Sequence, residues 1–203
     1  MAESFTSTTP VVVIGAAAVE LAETIDLLAE LSPQFPAPVL IAIHSLAPEQ
    51  SAAALTALSQ AAKLTCAYAQ DRECIIPGRV YIAPPDKHML VAGDELRVIF
   101  GPKENCNRPA LDPLFRTAAV SCGSRVIAVV LSALRGTFDD GLLGLSLLKE
   151  CGGTVVLPRS TDIFPVPKGR QIFRRLSTDH TPYREELPAL LLSLTRAEGG
   201  GSR

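Results

Sequence analysis

The chain has 203 residues, of which 47% are apolar and 20% charged, and it carries a net charge of −2. That length suits one sizeable α/β core, and the near-neutral balance gives no electrostatic drive toward nucleic acid or anionic lipid. Five cysteines without a Cys-x-x-Cys pair argue against a disulfide framework or a metal site and fit a reducing cytoplasm, and no apolar run reaches membrane-spanning length.

Residues 1–9 are polar, with no basic n-region, and read as a flexible arm and not a signal peptide. Residues 10–197 read as one domain, and the Gly-rich residues 198–203 as a flexible tail. A bare β-branched run, Val11–Gly15, predicts a buried strand. A helix from about Ala17 to Leu31 follows, with Leu21, Ile25, Leu28 and Leu31 at helical spacing. The turn between them carries no Ser, Cys or Thr and only one glycine. Val39–His44 predicts a second strand, 50–62 an Ala-rich helix, and Leu64–Tyr68 and Arg79–Ala83 two more strands. Residues 89–91 and 96–99 flank Gly93-Asp94, the signal of a β-hairpin. Asp112 can N-cap a helix with Pro113 at its first position, running to about Cys122. Arg125–Leu131 is the most convincing central strand. The loop 132–139 then leads to a helix from Asp140 to Glu150, closed by Gly152-Gly153. Thr154–Leu157 is a strand, 168–174 a short helix, and Arg184–Arg196 a final surface helix.

The alternation predicts a doubly wound, mostly parallel, Rossmann-like α/β sheet with an antiparallel hairpin extension. Such sheets bind ligands beyond the carboxyl ends of their strands. His44 ends an apolar strand there, and Asp139-Asp140-Gly141 opens a helix. The bland readings are a rim histidine and an N-cap. The sharper one is that the carboxylate orients the ring, as in a Ser-His-Asp triad.

Three segments carry a family resemblance. They are Pro-Gly-Arg-Val-Tyr-Ile-Ala-Pro-Pro-Asp-Lys-His-Met-Leu-Val at 77–91, Asn-Arg-Pro-Ala-Leu-Asp-Pro-Leu-Phe-Arg-Thr-Ala-Ala at 107–119, and the Val-Val-Leu-Ser, Asp-Asp-Gly and Leu-Lys-Glu-Cys-Gly-Gly elements within 125–153. In collinear order over about residues 10 to 170, the chain resembles the CheB-type chemoreceptor methylesterases. The resemblance implies a doubly wound catalytic domain that hydrolyses glutamyl methyl esters on chemoreceptors and deamidates certain glutamines. It places the triad histidine at His44 and the acid at Asp140. The serine belongs in a Gly-Ala-Ser-x-Gly-Gly turn, and that turn here reads Gly15-Ala16-Ala17-Ala18-Val19-Glu20. Ala17 therefore stands in the serine's place and Ala18 at the oxyanion side of the turn. The paired glycines have become Val19 and Glu20, the loop before Asp140 is longer than the family's, and the family's Gly-Met-Pro is altered to Pro165-Val166-Pro167. The chain begins directly at the catalytic-type domain, so control by a receiver domain in the same chain is not expected.

Three functional readings follow. The first is a degenerate esterase that serves as a binding or regulatory module, its cleft holding a chemoreceptor helix or another signalling protein. The second is an active esterase whose nucleophile has moved to Ser132, Ser45 or Cys106, each of which is also an ordinary loop or strand-end residue. The third, a nucleotide-binding module, is poorly served by a lone Gly15. Arg108 and Arg116 could recognise carboxylate on an acidic partner or form structural ion pairs around Asp112. His88 could touch substrate or simply sit at the rim. No cofactor or metal is expected.

Overall fold

In the computed structural model of the protein, residues 8–131, 140–159 and 177–197 are described. The arm over 1–7, the loop 132–139 with Ser132, Pro165-Val166-Pro167, the 168–174 helix and the 198–203 tail lie outside them.

Among the described residues, six strands form one parallel sheet. They are β1 (Val11–Ala17), β2 (Val39–His44), β3 (Thr65–Tyr68), β4 (Arg79–Ile82), β7 (Val126–Val130) and β8 (Thr154–Val156). Their spatial order is β3-β4-β2-β1-β7-β8. From β1 the chain winds first toward β2 and later returns to the other side at β7, the doubly wound arrangement expected. The hairpin, β5 (His88–Ala92) and β6 (Glu95–Ile99), forms a separate two-stranded antiparallel sheet.

Strand alternation decides which helix meets which face. Val12, Ile14, Val39 and Ile41 pack with Leu27, Leu28 and Leu31 around α1 (Leu21–Glu30), with Leu58 of α2 (Ser51–Ala61), and with Leu187 and Leu191 of α5 (Leu187–Ala197). Val11, Val13, Leu40 and Ala42 point the other way. They meet Leu111, Leu114 and Phe115 of α3 (Leu111–Cys122) and Leu145 and Leu148 of α4 (Leu142–Glu150). The hairpin packs on this second face through Met89, Val91 and Leu96. Its edge is tied to α3 by Val91 N–H donating to Thr117 Oγ1 at 3.0 Å.

Two local expectations are corrected. The first strand continues two residues past Gly15, and a 3-10 turn at Ala18–Glu20 precedes α1. Gly15 is therefore not the turn. It lies inside β1, where a Cβ would stand 2.8 Å from Leu111 Cδ1 and 2.9 Å from Phe115 Cζ. The glycine lets α3 come down onto the sheet. The second correction is at α3. The helix starts at Leu111, behind Ala110, and has no side-chain cap of its own. Asp112 is inside the helix, so its carboxylate is free to serve elsewhere.

Candidate active site

His44 and Ala17 are register partners at the carboxyl edge of the β1–β2 ladder. Parallel neighbours lie about 4.8 Å apart in the hydrogen-bonding direction and project to the same face. Both residues continue the alternation of the α3 face. Ala17 thus sits beside the imidazole and presents only a methyl group. Behind it the turn is tied down from within. The Ala17 N–H donates to Glu20 Oε2 at 3.0 Å, and Glu20 is buried. Ala18, half-buried, begins the 3-10 turn. Val19 is exposed.

His44 is 7% exposed. Its Nδ1 lies 2.9 Å from Ser45 Oγ, and Ser45 Oγ donates to Asn107 Oδ1 at 3.1 Å. Asn107 Nδ2 in turn donates to Asn105 O at 2.9 Å and to Asp140 Oδ2 at 3.4 Å. His44 and Asp140 are brought to one site, but they are joined through Ser45 and Asn107, without a direct hydrogen bond. Burial pushes the imidazolium of His44 below its ordinary range. The Asp140 charge and the Asn107 side chain oppose that shift without reversing it, so the ring is neutral near neutral pH.

Asp140 has a second set of partners. Both carboxylate oxygens accept from the Leu111 N–H at 3.0 Å, and Oδ1 also accepts from the Asp112 N–H at 3.1 Å. These are orphan donors of the first turn of α3, so Asp140 caps that helix across a large sequence separation. The favour is returned. Asp112 Oδ1 accepts from the Gly144 N–H, in the first turn of α4, at 2.7 Å. Asn105 Nδ2 bridges the two carboxylates, at 2.9 Å to Asp112 and 3.2 Å to Asp140. Each aspartate thus caps the helix that the other belongs to or precedes. Burial, with the neighbouring Asp140 charge, holds the Asp112 carboxyl above its usual range, against the bonds from Gly144, Asn105 and Gly141.

The loop that supplies the asparagines is a tight turn. Glu104 and Asn107 exchange N–H···O bonds of 3.1 and 2.8 Å, and Asn105 and Cys106 between them have positive φ. Asn tolerates that conformation well. Asn105 and Asn107 were not singled out from sequence. The signal available was two asparagines in a polar loop beside the Arg-Pro element.

The remaining candidates lie around this core. Cys106 is exposed at the apex of the turn and makes no hydrogen bond to His44. Arg108 donates to Asp86 Oδ1 at 2.9 Å and to Gly101 O at 2.7 Å, with its guanidinium stacked 3.7 Å from the Phe100 ring. Arg116 forms a bidentate pair with Glu104, both contacts 3.1 Å. His88 is buried, with Nε2 2.8 Å from Pro102 O and Nδ1 accepting from the Ala110 N–H at 3.3 Å. Both of its nitrogens are engaged by backbone. Among the described residues no group of His, Cys, Asp and Glu could hold a metal ion, and no helix is long and apolar enough to cross a membrane.

Known proteins resemble this chain in sequence and in fold. Residues 12–168 match the model of the family described as CheB methylesterase. A protein-glutamate methylesterase/protein-glutamine glutaminase of Caulobacter vibrioides is 37% identical over 134 residues, which are 64% of this chain and 38% of that protein. A putative protein of the same name from Leptospira interrogans is 30% identical over 186 residues, 90% of this chain and 93% of its own length. The crystal structure of the Thermotoga maritima CheB methylesterase catalytic domain superposes with a TM-score of 0.81 at 27% identity, covering 92% of this chain and 98% of that one. The family model spans most of the chain, and the Leptospira relative and the Thermotoga fold span nearly all of it: the chain belongs to the CheB methylesterase family.

Proposed function

We propose that this protein is a methylesterase-fold module that has lost its serine nucleophile and acts in chemotaxis-type signalling by binding. The carrying observation is the pairing of Ala17 with His44. The position beside a neutral, buried imidazole holds a methyl group where acyl-transfer chemistry needs an oxygen or sulfur. The turn around it is consistent with that reading, because Glu20 folds back onto the Ala17 N–H. The partner at this sheet edge is a chemoreceptor cytoplasmic helix or another cytoplasmic signalling protein. Arg108 and Arg116 are already paired with Asp86 and Glu104, so they would meet an acidic partner only by exchanging those carboxylates.

The test is ester hydrolysis on a methylated receptor fragment, with His44→Ala as control. The expected result is no turnover that depends on His44. Turnover abolished by His44→Ala would overturn the proposal.

One observation favours a second reading. Ser45 Oγ is within hydrogen-bond reach of His44 Nδ1 and Ser45 is exposed, so a Ser45–His44 dyad could supply a relocated nucleophile. Its hydroxyl proton, however, is directed to Asn107. That reading requires turnover that Ser45→Ala abolishes.

A further inference from the structure

We propose that Ser45 and Asn107 are positioning residues that lock His44 in its Nδ1–H tautomer, leaving Nε2 as the unprotonated nitrogen. Direction along the chain of bonds is set at its far end. Asn107 Nδ2 faces two acceptors, Asn105 O at 2.9 Å and Asp140 Oδ2 at 3.4 Å. An amide nitrogen only donates, so the amide is oriented and Oδ1 faces Ser45. Oδ1 only accepts, and the 3.1 Å contact therefore takes the single hydroxyl proton of Ser45. The 2.9 Å contact between Ser45 Oγ and His44 Nδ1 then needs its proton from the ring. A neutral imidazole has one N–H, so Nε2 keeps its lone pair.

The backbone is arranged for the same end. Ser45 has φ +60, an uncommon conformation for a residue other than glycine. Its side chain is then held by two bonds, one to the adjacent ring and one to a residue 62 positions away. Asp140 acts on His44 through this chain while its oxygens serve the first turn of α3. A serine and an asparagine thus stand between the carboxylate and the ring.

The inference rests on the reading of His44 as the base of the site, but its test uses no substrate. Long-range 1H–15N correlation spectra of the 15N-labelled protein, at a pH where the ring is neutral, report which nitrogen carries the proton. The chain has three histidines, and loss of signals in His44→Gln assigns those of His44. The wild type is expected to show protonated Nδ1 and bare Nε2. Ser45→Ala removes the acceptor and should move the tautomer ratio about tenfold toward Nε2–H, the worth of one hydrogen bond. Asn107→Leu should do the same although Ser45 is intact, because the hydroxyl then turns to donate to Nδ1. A purely structural Asn107 would leave the tautomer unmoved. Nε2–H in the wild type, or an unchanged ratio in Ser45→Ala, would overturn the inference. Should Asn107→Leu fail to fold, the exposed Ser45 decides alone. Ester turnover by the wild type would refute the functional reading and leave the tautomer result standing.

Discussion

Asp140→Ala separates the two roles of a carboxylate that both orients a site and caps a helix. The substitution strips acceptors from the Leu111 and Asp112 N–H groups, both in buried residues. A buried donor left without a partner costs about 1–3 kcal/mol, so the two together cost roughly 2–6 kcal/mol. Some of this is returned, because removing the Asp140 charge relieves the neighbouring Asp112 carboxyl. A net loss of about 2–4 kcal/mol is expected, a large share of the roughly 5–15 kcal/mol that stabilises an ordinary domain. Asp140→Asn keeps an acceptor oxygen and should lose only about 1 kcal/mol. Urea unfolding followed by circular dichroism reads both through the midpoint, with the slope m unchanged. A loss below about 0.5 kcal/mol in Asp140→Ala would refute the cap. Equal losses in the two variants would show that charge, not the acceptor, is what matters.

Three other outcomes are expected. Ala17→Ser places a hydroxyl beside His44 and should raise ester hydrolysis on a methylated receptor fragment by about 10²-fold, the low end of general-base assistance, because Val19 and Glu20 remain in the turn; no gain would mean that the ring is not aimed at position 17. Folding stability should fall as pH drops through about 6.5, the unfolded-state value of histidine, because burial holds the His44 value lower and the unfolded chain then binds more protons; chemical denaturation across that range should show this slope flattened in His44→Gln. Gly144→Ala would set a Cβ 2.6 Å from Phe115 Cβ and 3.0 Å from Asp112 O, so a change that usually favours a helix should instead cost about 1–3 kcal/mol, read as a lowered melting temperature.

The strands were legible because burial on two faces writes itself as uninterrupted apolar runs, as in Val11–Ile14, Val39–Ile43 and Val126–Val130. The position of His44 at a strand end followed directly. The end of β1 did not, because Ala16 and Ala17 suit strand and helix alike, and Gly15 reads locally as punctuation. Its actual cause, the approach of Leu111 and Phe115, comes from a helix distant in sequence. The same limit applies at Asp112. Local rules make an Asp before Pro113 a cap for its own helix, whereas the acceptor for α3 comes from Asp140 and that for α4 from Asp112. Asn105 and Asn107 gain their meaning only when the turn at 104–107 is set against those carboxylates.

The exchange of caps between α3 and α4 has a consequence for how such chains are sorted into active and inactive. The aspartate just before α4 serves the fold whether or not any ester is ever cleaved. Its presence is therefore silent about turnover. The informative coordinate is the neighbour of His44 across the β1–β2 ladder.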